Sequence, residues 1–247
     1  MNTIVDQCFY KILFERAISF LHREEKLPFP CLKERIVVGF VGLFLSGAVL
    51  FLNSLMLLGK ADGKSVGVFN LFVGIIQIII PFYLLMVSDQ NNWELYNDAA
   101  IFLFGLTYLY VGITVLKGLE GNGLGWFSLW VAIIAVVYTI TSFVHFHDVV
   151  NALTWGMWAF LWFLFFLANT LKKKIDHYLG MVAFVQSWVT LTIPALLYFL
   201  GIWNTPSVAQ IWTYVLILSI ISFVVASLFK WKISFKKEND ANEMQAV

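Results

Sequence analysis

The sequence predicts an all-α integral membrane protein that crosses the bilayer seven times, and three observations predict it. Of 247 residues, 60% are hydrophobic and 13% charged, about half the charged share of a soluble domain. Seven apolar stretches each come close to or exceed about 20 residues, the helical length that spans some 30 Å of hydrocarbon. None of the seven contains Asp, Glu, Lys or Arg, so all 16 basic and 15 acidic residues fall in connections and tails, where charge needs no buried partner. Lipid offers no hydrogen bonds to the backbone, and the stretches lack the period-two alternation of a membrane barrel, so the spans are helices.

Residues 1–35 form an N-terminal extension. Ile12, Leu13, Phe14, Ala17, Ile18, Phe20 and Leu21 give it the apolar content of an interfacial helix ahead of a Pro28 to Pro30 break. It is too polar and interrupted for a secretory signal peptide. The spans then run approximately Ile36 to Leu58, Ser65 to Val87, Ala99 to Leu116, Leu124 to Val144, Val149 to Leu171, Tyr178 to Trp203 and Val208 to Phe229. Pro81 and Pro194 lie inside spans two and six, where each removes an amide donor and is expected to kink its helix. Glycine-rich stretches at Gly59 to Gly63 and Gly118 to Gly125 mark short turns. Residues 204–231 carry the last loop and span, and 232–247 a polar tail.

Lys60, Lys64, Lys117, Lys172 to Lys174, Lys230, Lys232, Lys236 and Lys237 all fall on one side when the spans alternate. That side is expected to be cytoplasmic. The opposite loops hold Asp89, Glu94, Asp98 and Asp148 but no lysine or arginine. The count places the N-terminus outside and the C-terminus inside, against the pull of Lys11, Arg16, Arg23, Lys26, Lys33 and Arg35 in a nearly neutral extension.

Several chemistries are disfavoured. Two cysteines cannot build a disulfide scaffold, and no zinc-type spacing joins them to the four histidines, so no metal or cofactor is expected. A net charge of +1 without a basic tract gives no reason to bind nucleic acid. The spans hold no carboxylate or lysine for hydrolysis, and span seven has no lysine before Lys230 for a retinal Schiff base. Ion conduction lacks compensating charge. The chain is not read as an enzyme.

What the spans contain instead is uncharged polarity among rings. Trp155, Trp158 and Trp162 share one face of span five. At 1.5 Å rise per residue Trp162 lies about 20 Å from the outer end of its helix, too deep for an interfacial belt, whereas Trp155 suits either a belt or packing. Phe104 and Tyr108 are an i, i+4 pair on span three, with Tyr108 about 14 Å deep, and Gln186 enters about 12 Å from the other side. These depths converge near mid-membrane, which favours a lined passage over helix glue. Asn53 on span one and Gln77 on span two fit either a lining or an interhelical hydrogen bond. Thr107, Ser187, Thr190 and Thr192 suit bonds to their own helix backbone.

Ordered segments extend the picture: LGKADGKSVGVFNLFVG from Leu58 to Gly74, FLFGLTYLYVGI from Phe102 to Ile113, WFSLWVAI from Trp126 to Ile133, WGMWAFLWFLFFLANTLKK from Trp155 to Lys173, and the stretch around Pro194. In order and spacing they resemble the AmiS/UreI family of acid-gated urea channels and short-chain amide transporters. The resemblance covers residues 36–203 and implies a six-helix bundle, to which this chain adds an extra C-terminal transmembrane helix. It further implies a solute pathway within each protomer, a homo-hexamer in a bacterial cytoplasmic membrane, and a functional link to urease or amidase. The implied pathway residues are Phe104, Tyr108, Trp155, Trp158, Trp162, Leu161, Asn53, Leu43 and Leu50. Gln186 stands where the acid-gated channel has a pore glutamate.

The expected function is passive conduction of urea or small amides. The alternatives are a transporter of short-chain amides such as acetamide and a noncatalytic receptor or assembly protein. His145, His147 and Asp148, clustered in one outer loop, are candidates for gating by external acid, since an unperturbed histidine titrates near pH ~6.5.

Overall fold

The computed structural model describes residues 29–88 and 91–245, with side chains described for 35–88 and 91–228; the interfacial-helix segment anticipated before Pro28 lies outside them. Seven helices in it have the length and apolar character to cross a membrane. They are α1 (Phe29–Leu57), α2 (Gly63–Met86), α3 (Asn92–Lys117), α4 (Asn122–Val144), α5 (Val149–Asn169), α6 (Asp176–Phe199) and α7 (Pro206–Gln245).

At α2 and α3 a capping side chain supplies the terminal amides with an acceptor and the helix starts ahead of its apolar stretch. The Asn91 side chain accepts from the amides of Trp93 and Glu94, so α3 begins seven residues before the apolar run at Ala99. Asp62 caps α2, accepting from the Ser65 amide and hydroxyl at 2.8 Å each. These bonds hold its carboxyl below the usual 3.8. α1 begins at Phe29 and takes Pro30 into its first turn, where the missing N–H has no intrahelical partner to lose. α3 ends on Gly118 at φ 62°, a left-handed residue that glycine adopts without steric cost. α7 runs past its apolar section to Gln245, through a Lys, Glu, Ala and Met-containing stretch of good helix formers.

Each of the first six helices packs on its neighbour in sequence, and α6 returns to α1, closing a ring; α7 lies outside it against α5 and α6. Small residues set the closest approach, as expected where apolar side chains gain little by leaving lipid for protein. Pro81 deprives the Gln77 carbonyl of its i+4 donor, and Gly105 of α3 presses onto that carbonyl. A Cβ at Gly105 would stand 2.9 Å from the Gln77 carbonyl carbon and oxygen. The same helix pair brings Gly112 against the Gly67 carbonyl. Large apolar residues such as Phe72, Ile79 and Phe82 on α2, and Trp130, Val137 and Val144 on α4, face outward. Apolar groups therefore cover both the inner and outer surfaces.

Proline acts differently in α6. Residues Ser187–Thr192 take a π-helical turn between the α-helical segments Asp176–Gln186 and Ile193–Phe199. In this register the amide of Ile193 donates to the Trp188 carbonyl, five residues back. The next acceptor, the Val189 carbonyl, would need an amide from Pro194, which has none. The Trp212 indole N–H of α7 donates to it instead at 3.0 Å. The extra helix is thus fastened to the backbone that the proline leaves unsatisfied.

At the acidic end, Arg35 Nη1 donates to Glu94 Oε2 at 2.6 Å and Nη2 to Asp98 Oδ2 at 2.9 Å, joining α1 to α3. An arginine that counted against the charge asymmetry is therefore neutralised locally. Arg35→Gln is expected to lower stability by about 3 kcal/mol, because it strands the buried Asp98 carboxylate. Thermal unfolding in detergent checks this, and a curve matching the parent's would mean that solvent already carries the carboxylate's charge.

Candidate functional site

Three cavities meet at Trp158. The innermost, about 30 Å³, sits toward the lysine-bearing end and is lined from α1, α3, α4, α5 and α6. A cavity of that size holds about one water molecule. Two larger ones open toward the acidic end. One, about 380 Å³, lies between α1, α2, α3 and α5; the other, about 500 Å³, lies between α1, α5, α6 and the start of α7. Trp158 borders all three, and Phe104 borders the innermost and the smaller outer one.

The partition is an aromatic cluster centred on Phe104. Its ring lies 4.8 Å from Trp158, edge to face, and 5.1 Å from Trp162, with Trp155 and Tyr108 at 6.2 and 6.4 Å. The i, i+3, i+7 spacing on α5 turns all three indoles to the same side. Hydrogen bonds then hold two of them: Trp158 Nε1 donates to Thr190 Oγ1 at 2.9 Å and Trp162 Nε1 to Thr107 Oγ1 at 3.3 Å. Both hydroxyls meanwhile donate to their own helix, Thr190 to the Gln186 carbonyl and Thr107 to that of Leu103. Satisfied in this way, the indole N–H groups are not left bare in an apolar wall. Trp155 is buried rather than in a headgroup belt, stacked 4.4 Å from Tyr138, which stacks 4.1 Å from Tyr96.

Leu50, Asn53, Tyr108, Leu161 and Trp162 all line the innermost cavity, and Leu43 lines both outer ones. Asn53 has both candidate roles at once. It borders the cavity and exchanges amide hydrogen bonds with Asn70 of α2, at 2.7 and 3.1 Å. The pair uses one donor and one acceptor of the Asn53 amide, and Asn70 also donates to the Val66 carbonyl. Tyr108 is 4% exposed, and its hydroxyl donates to the Ser46 carbonyl over a long 3.4 Å. Gln77 borders the smaller outer cavity while its amide donates to the Gly42 carbonyl and the Ser46 hydroxyl.

Gln186 departs from the pathway position the resemblance implies. Fully buried, it lines none of these cavities; its Nε2 donates to the Met157 carbonyl at 2.9 Å, and its Oε1 has no partner among the described residues. A buried amide donor far from water takes the nearest carbonyl, here joining α6 to α5. His145 stacks on the Trp93 ring at 3.8 Å, His147 sits at φ 52°, and Asp148 accepts from the Asn151 amide as the cap of α5. These three share a corner, but no ion pair joins them among the described residues. Asn70 and Ser128 were missed; a short polar side chain in an apolar run marks each, without indicating which way it faces.

A family model described as AmiS/UreI family transporter matches residues 38–202. A putative transporter protein AmiS2 of Rhodococcus erythropolis is 44% identical over 177 residues, which is 71% of this chain and 86% of that one. The acid-activated urea channel of Helicobacter pylori is 30% identical over 197 residues, 68% of this chain and all of that one. The cryo-EM structure of the Helicobacter pylori urea channel in its closed state superposes with a TM-score of 0.61 at 31% identity, covering 66% of this chain and 98% of the channel. Its crystal structure gives 0.60 at 32% identity. Residues 38–202, from within α1 to just past α6, make up that shared unit, and this chain belongs to the AmiS/UreI family of transporters.

Proposed function

We propose that the protein is a passive channel for urea or a short-chain amide, with the solute passing inside a single protomer from the outer cavities, past Trp158, into the innermost one. The supporting observation is the innermost cavity itself: rings, aliphatic groups, hydroxyls and the Asn53 amide line it, with no charged side chain. A hydrated ion entering there loses its water and gains no counter-charge. A flat neutral amide loses less. Its faces slide along indole and phenyl rings, and its edges exchange bonds with Asn53 and the weakly bonded Tyr108 hydroxyl.

In this mechanism Phe104, Trp158, Trp162, Leu161 and Leu50 shape the passage, Trp155 and Leu43 line its approach, and Gln186 positions α5. The lysine-bearing end faces the cytoplasm, in keeping with the loop charges. Because the pathway is intramolecular, assembly into a ring of six sets the packing of protomers rather than the passage. The corner residues His145, His147 and Asp148 are left out of the conduction step, since Asp148 is engaged as a cap and His145 as a ring stack.

Both solute classes belong in the test, because the relatives named above include an acid-activated urea channel and the ordered segments also resemble those of short-chain amide transporters. Stopped-flow shrinkage and recovery of proteoliposomes holding the purified chain should show urea and acetamide permeation well above empty vesicles, with no matching sodium or chloride leak. Permeation equal to empty vesicles for both solutes overturns the channel and favours a receptor or assembly role.

A further inference from the structure

We propose that the seventh helix gives this channel a lateral antechamber: the larger outer cavity is a second binding site for the planar amide solute, feeding Trp158 from the α7 side. The inference rests on the channel reading above and concerns residues beyond the family unit. Five of the lining residues, Trp203, Asn204, Thr205, Pro206 and Ala209, lie past residue 202, where the family match ends. That part of the cavity's wall is therefore particular to a chain with α7.

That wall is held in place. Trp212 is anchored to the Val189 carbonyl, and its ring meets Trp203 edge to face at 5.7 Å. The floor is apolar, with Phe40, Pro194 and Trp158. The polar groups are mostly acceptors. Asp148 uses Oδ1 to cap α5, and Thr154 and Thr205 donate their hydroxyl protons to the carbonyls of Val150 and Ile202, which leaves hydroxyl lone pairs for an incoming donor. Asn151 donates its amide to Ser142 and keeps its carbonyl oxygen. An acceptor-rich site over aromatic floors suits a solute whose edges are mainly N–H, as in urea or a primary amide. Its volume of about 500 Å³, against about 30 Å³ for the innermost cavity, lets solute gather ahead of the narrow step.

The test is the concentration dependence of urea flux into proteoliposomes holding the full chain. Ala209→Trp fills the antechamber, and Asn204→Leu, at an exposed loop position, replaces a polar edge without demands on folding. Half-saturation should rise about tenfold in Ala209→Trp, whose indole takes the space the solute would occupy, and about threefold in Asn204→Leu, as a hydrogen bond to the solute is lost. The plateau flux should stay near the parent's, because the innermost cavity still limits passage. A parent that conducts with half-saturation unmoved in both variants overturns the antechamber and leaves the channel standing. A parent that passes no urea overturns the channel reading and this inference with it.

Discussion

Leu161→Trp is expected to stop solute flux while the protein stays folded. Leu161 lies between Trp158 and Trp162 on α5 and borders a cavity of only about 30 Å³, so an indole in its place takes the volume of the proposed passage. Overpacking of this kind costs about 1–3 kcal/mol, which a membrane bundle with thorough interhelical packing tolerates. Urea and acetamide flux should fall more than about tenfold, a barrier increase of ~1.4 kcal/mol. Thermal unfolding, measured beside the flux, separates a blocked passage from a lost fold. Undiminished flux in folded Leu161→Trp protein would remove the innermost cavity from the pathway.

Gly105→Leu is expected to disturb folding itself as much as Arg35→Gln does. Any Cβ there meets the Gln77 carbonyl at 2.9 Å and Ile78 Cδ1 at 2.9 Å. Backbone cannot swing aside as a side chain does, so α2 and α3 must separate, at a cost of about 3 kcal/mol. The displacement would also carry Phe104, one helical residue away, off its contacts with Trp158 and Trp162. Gly39→Ala is the matched control, since nothing lies within 4 Å of a Cβ at that position. Detergent-solubilised Gly105→Leu should elute as aggregate or melt well below the parent, with Gly39→Ala unchanged. Equal melting of the two would show that α2 and α3 approach less closely than the structure has them.

The aromatic face of α5 was legible in the sequence because helical spacing alone turns Trp155, Trp158 and Trp162 to one side, and depth follows from residue count. Tyr108 and Phe104 were legible for the same reason. The direction of Gln186 was not. Its depth matched the rings, but an amide at a given depth takes whichever carbonyl its helix rotation presents, and α6 presents that of Met157. Thr107 and Thr190 were expected to bond their own backbone and do; that each also accepts an indole N–H required knowing which helices face each other. Arg35 is one of six basic residues in a nearly neutral extension, and its carboxylate partners emerge only where α1 meets α3.

The seven spans, their order and the neutrality of the interior belong to the sequence alone. Transfer of a side chain into hydrocarbon is a local cost, summed residue by residue, and no neighbour is needed to read it. Tertiary structure alone decided the partner of each buried polar group, the π-helical route by which α6 passes Pro194, and the use of Trp212 to satisfy the Val189 carbonyl. Those choices depend on how closely helices approach and how each is rotated, which glycines such as Gly105 and Gly112 set through contacts between residues far apart in the chain.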